Sequence, residues 1–350
     1  MSGYVGDLDE YQESILEEFK QKVQDIARPH WDNNFYLRWL RARDFDEKRS
    51  EVMLRNDVVW RRQFGTEKIL EEFKVPEVIE KYVPNGLFGE DKQGYPIMYY
   101  YFDLDLKGLV HSASKTDVLK SMIVTMEKVY RTFSEQSKKH QRRIDGLIVV
   151  FDLENLAMKH ITYKAGVELC IEIIQMFEDH YPETLKTLNI VNAPKIFPVA
   201  YAIMKPFLTQ HTKDKIRMHG GDWQQNLLRE IDIDEIPVFF GGQARGPDGD
   251  PKCSHALCYG GEIPQHYYQQ KRKEAIDKTK MDMAVVNKRG YHMVEYFVQQ
   301  PSSLIRWEFI TEDNDIIFGI YMKKDGTPVE KLKMSDLTNS KPPQRCNCHL

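Results

Sequence analysis

The sequence predicts an α/β protein with three structured parts: an N-terminal helical lobe, a mixed, mostly parallel sheet with helical cover, and a partial all-β sandwich. Apolar residues recur at helical spacing in the first part. Apolar strands then alternate with helical stretches, which is typical of a parallel sheet covered by helices. Beyond about Lys280 the apolar residues alternate, as they do in antiparallel sheets. The predicted domains are 1–75 (helical lobe), 76–245 (α/β domain), 246–280 (linker) and 281–350 (partial β domain).

The helical lobe is predicted from two amphipathic stretches, 8–28 and 47–64. Between them lies FYLRWLRARDFD (35–46), which contains Arg41 and Arg43. These arginines are two positions apart, so on a helix they point to different faces. The residues alone favour an ion pair between this segment and the acidic residues that follow it.

The α/β domain is predicted from strands and helices in alternation. The aromatic run YPIMYYYF (95–102) is typical of a strand, and GLIVVFDL (146–153) is apolar enough to be covered on both faces. Helices are expected at about 117–138 and 163–180, and a short strand at 188–191. The next elements in the chain are an apolar helix, the segment KIRMHG, the helical QQNLLREI, and IPVFFGG.

Helix 196–208 is predicted to be apolar on two faces, with Lys205 as its one charge. Such a helix is either buried or covers an apolar surface. Pro206 has no N–H and is expected to kink the helix near its end. Cations follow directly in the segment 211–219, and an apolar element beside cations suits an amphiphile that carries a phosphate. The residues expected to form a gate over a pocket are Phe197, Tyr201, Met204, Pro206, Phe207 and Leu208.

The C-terminal part begins with a linker rich in Gly, Pro and Asp. Three strands are predicted after it, near 291–298, 304–310 and 316–322, and a polar stretch follows. A sandwich needs more strands than these to bury two inner faces. We therefore expect this domain to be a truncated or alternatively spliced form with under-covered apolar residues.

Composition excludes several classes of protein. The net charge of −4 and pI near 6.3 argue against a nucleic-acid partner. The first residues lack the basic and apolar regions of a signal peptide, and no apolar run approaches eighteen residues. The five cysteines are few, odd in number and widely spaced, which favours a reducing, cytoplasmic setting.

No catalytic motif is present, so no enzymatic activity and no cofactor are predicted. The Cys/His grouping in the linker lacks the second ligand pair of a zinc site, and the one at the end of the chain lies in a tail that is expected to fray, so no metal site is expected. Asp152 and Glu154 follow an apolar strand, where α/β enzymes often keep carboxylates. A helix cap or an ion pair is the role that we favour for them.

Five motifs in this order resemble the CRAL-TRIO lipid-binding domain: YPE (181–183), NAP (192–194), KPFL (205–208), T-x-x-K (212–215) and IPVFFGG (236–242). The segment FYLRWLRARDFD resembles the N-terminal helical lobe of the same family. More closely, the chain resembles the animal supernatant protein factor and tocopherol-associated branch, whose C-terminal domain is of the GOLD type. The family continues with further strands, so the resemblance also implies a truncated GOLD-like domain.

The resemblance implies that Arg43, Glu183, Thr212 and Lys215 bind a lipid headgroup. Their chemistry fits this role, because Arg, Lys and Thr donate hydrogen bonds to phosphate oxygens and Glu accepts them from sugar hydroxyls. The alternative is a set of structural ion pairs.

Two departures from the family pattern bear on the cargo. Asp44 stands where the phosphatidylinositol/phosphatidylcholine exchanger of the family has a basic residue, and Leu147 and Val149 stand where it has hydroxyl residues. A pocket lined by Leu147 and Val149 cannot satisfy a buried phosphate. Phosphatidylcholine is therefore disfavoured, and a mostly hydrocarbon cargo such as tocopherol or squalene is favoured.

The sequence thus predicts a cytoplasmic lipid-binding and lipid-transfer protein that contacts membrane surfaces transiently. Its lipid ligand is expected to be a single molecule of the phosphatidylinositol, tocopherol or squalene class. The alternative is a lipid-sensing scaffold or regulator that acts on a protein partner through the GOLD-like domain.

Overall fold

A computed structural model describes residues 3–268, 282–287 and 290–296 and the backbone of four further strands. The chain forms two compact units, Met1–Gln270 and Lys271–Leu350. The first contains the predicted helical lobe and the α/β domain. The second contains the short C-terminal strands.

The helices of the first unit follow the apolar periodicity of the sequence closely. Side-chain oxygens of Asp9, Asp32, Asp46 and Ser114 accept hydrogen bonds from backbone N–H groups in the first turns of the longer helices. Within residues 3–268 the α-helices are α1 (Glu10–Lys22), α2 (Asn33–Arg41), α3 (Glu47–Phe64), α4 (Ile69–Glu72), α5 (Glu77–Tyr82), α6 (Leu106–Ser112), α7 (Lys115–Lys139), α8 (Met158–Thr162), α9 (Lys164–His180), α10 (Phe197–Met204), α11 (Gln210–Asp214) and α12 (Trp223–Glu230).

The first three helices pack around an apolar cluster of their own. Phe19, Leu37, Leu40 and Leu54 are completely buried in it. Each of these side chains lies on the inward stripe of its helix, so burial of apolar surface accounts for the association of the three helices. The predicted helical lobe is therefore present.

The predicted mixed, mostly parallel sheet is confirmed. Its five strands are ordered β1-β2-β3-β4-β5, with β1 antiparallel to β2 and the other pairs parallel. Strand β1 was not predicted from the sequence. The strands are β1 (Gly86–Glu90), β2 (Pro96–Tyr101), β3 (Leu147–Asp152), β4 (Leu185–Val191) and β5 (Ile216–Met218).

One face of this sheet, which we call the sealed face, is fully covered. Ile97, Tyr99, Ile148, Val150 and Val191 on it are between 0% and 2% exposed. Helix α12 and the segment 236–257 cover them. Within that segment IPVFFGG forms a short 3-10 helix, Val238–Phe240, whose last residue packs against the ring of Tyr99 at 4.8 Å between ring centroids.

The segment predicted as a linker begins with residues that belong to the first unit. Cys253, Leu257 and Ile263 are 0%, 3% and 1% exposed, and they pack in two apolar clusters of the α/β domain. The expected boundary at residue 245 therefore cuts through packed structure. A few well-spaced apolar residues anchor the segment, although Gly, Pro and Asp dominate its composition.

In the second unit β6 (Leu304–Phe309) pairs antiparallel with β9 (Gln344–His349), and β7 (Ile320–Lys324) with β8 (Thr327–Leu332). The strand predicted near 304–310 is present. The strand predicted near 291–298 is wrong for 291–296, which form no strand, and 297–298 lie outside the described residues. The GOLD-like assignment and its truncation stay predictions.

The sealed face contains a polar atom that supports a first prediction. The hydroxyl of Tyr99 is buried and has no hydrogen-bond partner among the described residues. The hydroxyl of Tyr181, which is also buried, donates to Glu127 at 2.9 Å. We expect Tyr99→Phe to raise the free energy of unfolding by about 1 kcal/mol, and Tyr181→Phe to lower it by about 1–2 kcal/mol. Urea denaturation measures both. A loss of stability in Tyr99→Phe contradicts the prediction.

Candidate functional site

The second face of the sheet, which we call the open face, is apolar but not sealed. It presents Tyr100, Phe102, Phe151 and Leu188, and each of these side chains keeps accessible surface. They alternate with the sealed residues along the same strands, and Tyr100 pairs with Phe151 in register. Central strands of a parallel sheet are normally covered on both faces. The incomplete cover therefore distinguishes this face from the sealed face.

Helix α10 lies against the open face without burying any of its own residues. Phe197 and Ala200 pack on the cluster of Leu153, Leu156 and Ile190, whereas Val199 is 50% exposed. An ordinary core helix buries an apolar stripe. This helix instead has apolar side chains toward both the sheet and the surroundings.

The end of α10 is distorted as Pro206 predicts. The α-helix stops at Met204, and a 3-10 turn, Lys205–Phe207, follows before the chain becomes extended at Leu208. Of the predicted gate residues, Phe197 and Tyr201 stack on each other with ring centroids 5.8 Å apart. A role of this helix as a gate remains a proposal.

Burial shifts the pKa of two side chains of the α/β domain, one on the open face and one on α9. Burial raises the pKa of Tyr100 to about 12 and the pKa of the Cys170 thiol on α9 to about 11. Both side chains nevertheless keep accessible surface.

The predicted pocket residues Leu147 and Val149 lie deeper in the same face. They are 5% and 9% exposed and pack with Met98, Val129 and Phe133. Tyr100 packs against the same cluster. A contribution of Leu147 and Val149 to a pocket lining stays a prediction.

Two cationic side chains and a histidine gather around Glu183, which is 6% exposed at its side chain, and Nε2 of that histidine, His211, also lies 2.9 Å from Asp44. Nζ of Lys215 donates to its carboxylate at 3.0 Å. Nε of Arg41 and Nδ1 of His211 lie 3.8 Å and 3.9 Å from the same carboxylate. Glu183 has a φ of 55°, a left-handed backbone conformation that is strained for a residue with a side chain and is often found at functional sites.

Of the four predicted headgroup residues, Glu183 and Lys215 come together and Arg43 does not join them. One terminal nitrogen of Arg43 donates to the carbonyl of Ala42 at 2.8 Å, and the other lies 4.0 Å from Asp179 on α9. The reason is local: α2 ends at Arg41, and Asp44 and Phe45 in the following turn have φ values of 53° and 60°. This turn directs Arg43 to a surface groove of about 580 Å³ that Asp179 also lines.

The hydroxyl of Thr212 is engaged locally as well. It lies 3.1 Å from the hydroxyl of Thr209, which caps α11 by accepting from the backbone N–H of Thr212. The T-x-x-K motif therefore covers the end of α11 and its C-cap Lys215, whose side chain contacts Glu183.

Arg41 is the arginine that faces Glu183, and the sequence analysis missed it. Its guanidinium donates to the carbonyl of Gly3 at 3.1 Å and lies 3.9 Å above the ring of Tyr4. Its Nε is buried without a hydrogen-bond partner in the described structure. Desolvation lowers the pKa of Arg41 and raises the pKa of Tyr4. Helical spacing carries a signal for this residue, because Arg41 follows the fully buried Leu37 by four positions.

The carboxylate of Asp152, which the sequence analysis singled out, is held by hydrogen bonds within the fold. The carboxylate of Asp152 accepts from the backbone N–H of Glu154 at 3.0 Å and from the amide of Asn192 at 2.9 Å, and burial raises its pKa.

Among the residues whose side chains are described, no group of three or more His, Cys, Asp and Glu residues has a metal-binding arrangement. None of the helices in the described ranges is long and apolar enough to cross a membrane.

The sequence matches one family model and is similar to several known proteins. The family model described as CRAL/TRIO domain matches residues 80–242. The chain is 31% identical over 334 residues to Protein real-time of Aedes aegypti, 30% identical over 335 residues to a CRAL-TRIO domain-containing protein of Caenorhabditis elegans, and 30% identical over 318 residues to Protein ctg-1 of that organism. These alignments take in 91%, 92% and 88% of this chain.

The chain spans 50% and 45% of the first two relatives and 81% of Protein ctg-1. Among solved structures, it resembles the crystal structure of Sfh5 with a TM-score of 0.50 at 15% identity, over 60% of this chain and 80% of that one. At this identity the likeness concerns the fold alone.

The contrast between the two arginines gives a second prediction. Arg41 is 9% exposed at its side chain and faces a buried carboxylate, whereas Arg43 is 19% exposed and faces an Asp179 that is 62% exposed. We expect Arg41→Met to lower the free energy of unfolding by about 2–3 kcal/mol, because it leaves a buried charge less well compensated. Arg43→Met, the matched control, should cost under about 1 kcal/mol. Equal losses in urea denaturation of the two variants contradict this assignment.

Proposed function

We propose that this chain, which belongs to the CRAL/TRIO domain family, binds a single lipid between the open face and α10 and carries it between membranes. The observation that supports the proposal best is the pairing of an apolar sheet face that keeps accessible surface with an apolar helix that buries none of its residues. Exposed apolar surface is costly in water at roughly 25 cal/mol per Å². A hydrocarbon ligand that fills the space removes this cost.

The energetics suit a carrier that exchanges its ligand. Burying a lipid with about thirty methylenes is worth roughly 25 kcal/mol relative to water, at about 0.8 kcal/mol each. A bilayer interior offers the lipid nearly the same free energy. The free energy of moving the lipid from a membrane to the protein is therefore close to zero. The protein instead lowers the barrier, because the lipid no longer has to cross water unprotected. The proposal assigns the chain no chemical reaction.

The charged cluster supplies the polar end of the proposed site. Arg41, Lys215 and His211 lie around a single buried carboxylate, and Lys215 is 22% exposed at its side chain. Their N–H donors suit the phosphate oxygens of an anionic lipid such as phosphatidylinositol, and Glu183 suits its hydroxyls. Arg41 takes the place that we expected for Arg43. A neutral cargo such as tocopherol or squalene uses the open face alone.

Helix α10 is the proposed gate and membrane-contacting element. Its exposed residues include Val199 and Ala202, and Lys195 and Lys205 flank it on the exposed surface. Apolar residues beside lysines suit transient contact with an anionic membrane surface. Movement of α10 and the adjoining 3-10 turn, which Pro206 weakens by removing one backbone donor, would open the space beneath. A cytoplasmic carrier that visits membranes fits these features.

The rival reading is a lipid-sensing scaffold that keeps its lipid and signals to a protein partner through the second unit. A multiple-turnover transfer assay between donor and acceptor liposomes separates the two functions. A carrier moves many lipids per chain, whereas a sensor loads once and transfer then stops.

The gate supplies a third prediction, with a control of matched exposure. Val199 on α10 is 50% exposed and Val59 on α3 is 54% exposed. We expect Val199→Glu to slow lipid exchange with liposomes roughly tenfold, because a carboxylate at the membrane interface is costly to desolvate. Val59→Glu should exchange lipid at the wild-type rate. Thermal unfolding should be unchanged in both variants, and equal exchange rates in both rule out α10 as the membrane contact.

A further inference from the structure

Three aromatic rings meet at the surface where the sealed face ends. Tyr101, Phe239 and Tyr259 form this group, which we call the aromatic cage. Their ring centroids lie 5.3, 5.6 and 4.9 Å apart, and the ring planes meet at 83°, 61° and 75°. Phe239 is 36% exposed, whereas the adjacent Phe240 is packed in the core at 2% exposure. Ring faces carry partial negative charge, so rings set at steep angles at a surface suit a cation.

The aromatic cage already holds a cation of its own chain. Nζ of Lys252 lies 5.0 Å from the ring centroid of Phe239 and 5.0 Å from that of Tyr259. Both distances are within the range of about 6 Å at which a ring attracts a cation. Every other cation that faces an aromatic ring in the described ranges faces one ring only, as Lys120 does over Phe73 at 5.5 Å.

The ammonium group of Lys252 is free to exchange for another. Its side chain is exposed, and no carboxylate among the described side chains lies within salt-bridge distance of it. The rings are held by other contacts. The hydroxyl of Tyr259 donates to the carbonyl of Lys252 at 2.7 Å, and the amide of Asn155 donates to the hydroxyl of Tyr101 at 3.1 Å. The cage therefore keeps its form when the lysine side chain leaves.

Carboxylates around the cage favour a basic partner. Desolvation, and with it the exposed carboxylates of Glu154 and Asp103, raises the pKa of Tyr101. Desolvation and the carboxylate of Asp250 act in the same direction on the pKa of Tyr259. These carboxylates attract a positively charged segment. They repel the phosphate that accompanies the ammonium group of a choline lipid, so a basic protein segment fits the cage better than a membrane surface does.

We propose that the aromatic cage binds a lysine side chain from a basic segment of a partner protein, and that Lys252 occupies the cage while the partner is absent. The partner's lysine displaces Lys252, which therefore weakens the association. The cage belongs to the sealed side of the sheet and not to the face proposed to bind lipid. The inference goes beyond the proposed carrier function and does not depend on it.

The test uses a basic peptide and a matched pair of variants at a second lysine. Binding of a fluorescein-labelled peptide, Gly-Ser-Lys-Lys-Lys-Ser-Gly, is measured by fluorescence anisotropy. We expect Lys252→Met to tighten binding roughly three- to tenfold and Phe239→Leu to weaken it roughly fivefold, because these changes remove the competing cation and one ring face. Lys120→Met and Phe73→Leu, the controls, remove the same groups from a single-ring pair and should leave the affinity within about twofold of wild type.

Each remaining outcome overturns the proposal. Equal tightening in Lys252→Met and Lys120→Met shows that net charge alone controls binding. An unchanged affinity in Phe239→Leu removes the aromatic cage from the interaction, and so does a peptide that neither wild type nor Lys252→Met binds. Flotation with phosphatidylcholine vesicles tests the other source of an ammonium group. Vesicle binding that Phe239→Leu abolishes, with peptide binding unaffected, assigns the cage to a membrane surface. Thermal unfolding at the wild-type temperature shows that each variant is folded.

Discussion

The organisation of this protein depends on the unequal cover of the two faces of its central sheet. Hydrophobic burial drives the strands together, and on the sealed face it is complete, with Ile97, Ile148, Val150 and Val191 at most 1% exposed. On the open face Tyr100, Phe151 and Leu188 keep accessible surface beneath a helix that buries nothing of its own. The core packed on the sealed face supports the sheet although the opposite face is less completely covered. This less covered face is where we propose that a hydrophobic ligand binds.

The helical lobe also contributes to the charged cluster around Glu183. Arg41 reaches Glu183 from α2, and the ring of Trp60 on α3 stacks on His180 at 3.8 Å between centroids. The carboxylate of Asp57, also on α3, lies 3.0 Å from Nδ1 of this histidine. The lobe is therefore docked on the α/β domain by specific contacts, and it positions one of the cations around the buried carboxylate.

Regular periodicity explains which parts of the fold the sequence could predict. Helix α3 has the predicted bounds, and β3 lies within the predicted strand, because long apolar patterns determine both. Strand β1 was missed, since two glycines and an edge position weaken its pattern. The packing of 246–268 was missed because it depends on a few residues such as Cys253 and Leu257, whose burial arises from tertiary contacts. In the charged cluster, Arg41 lies beside Glu183 and Arg43 does not, which the sequence analysis did not anticipate. The left-handed turn at Asp44 and Phe45 decides the direction of the side chain, and the sequence does not specify that turn to this precision.

The most direct test of the account is native mass spectrometry of the chain after incubation with liposomes and removal of the membranes. The expected result is a species heavier than the bare chain by the mass of one lipid molecule, because the proposed site beneath α10 accepts one ligand. A chain that remains at its bare mass under these conditions would contradict the central claim. So would a chain that binds a variable number of lipids, since that pattern indicates adsorption on exposed apolar surface and not a defined site.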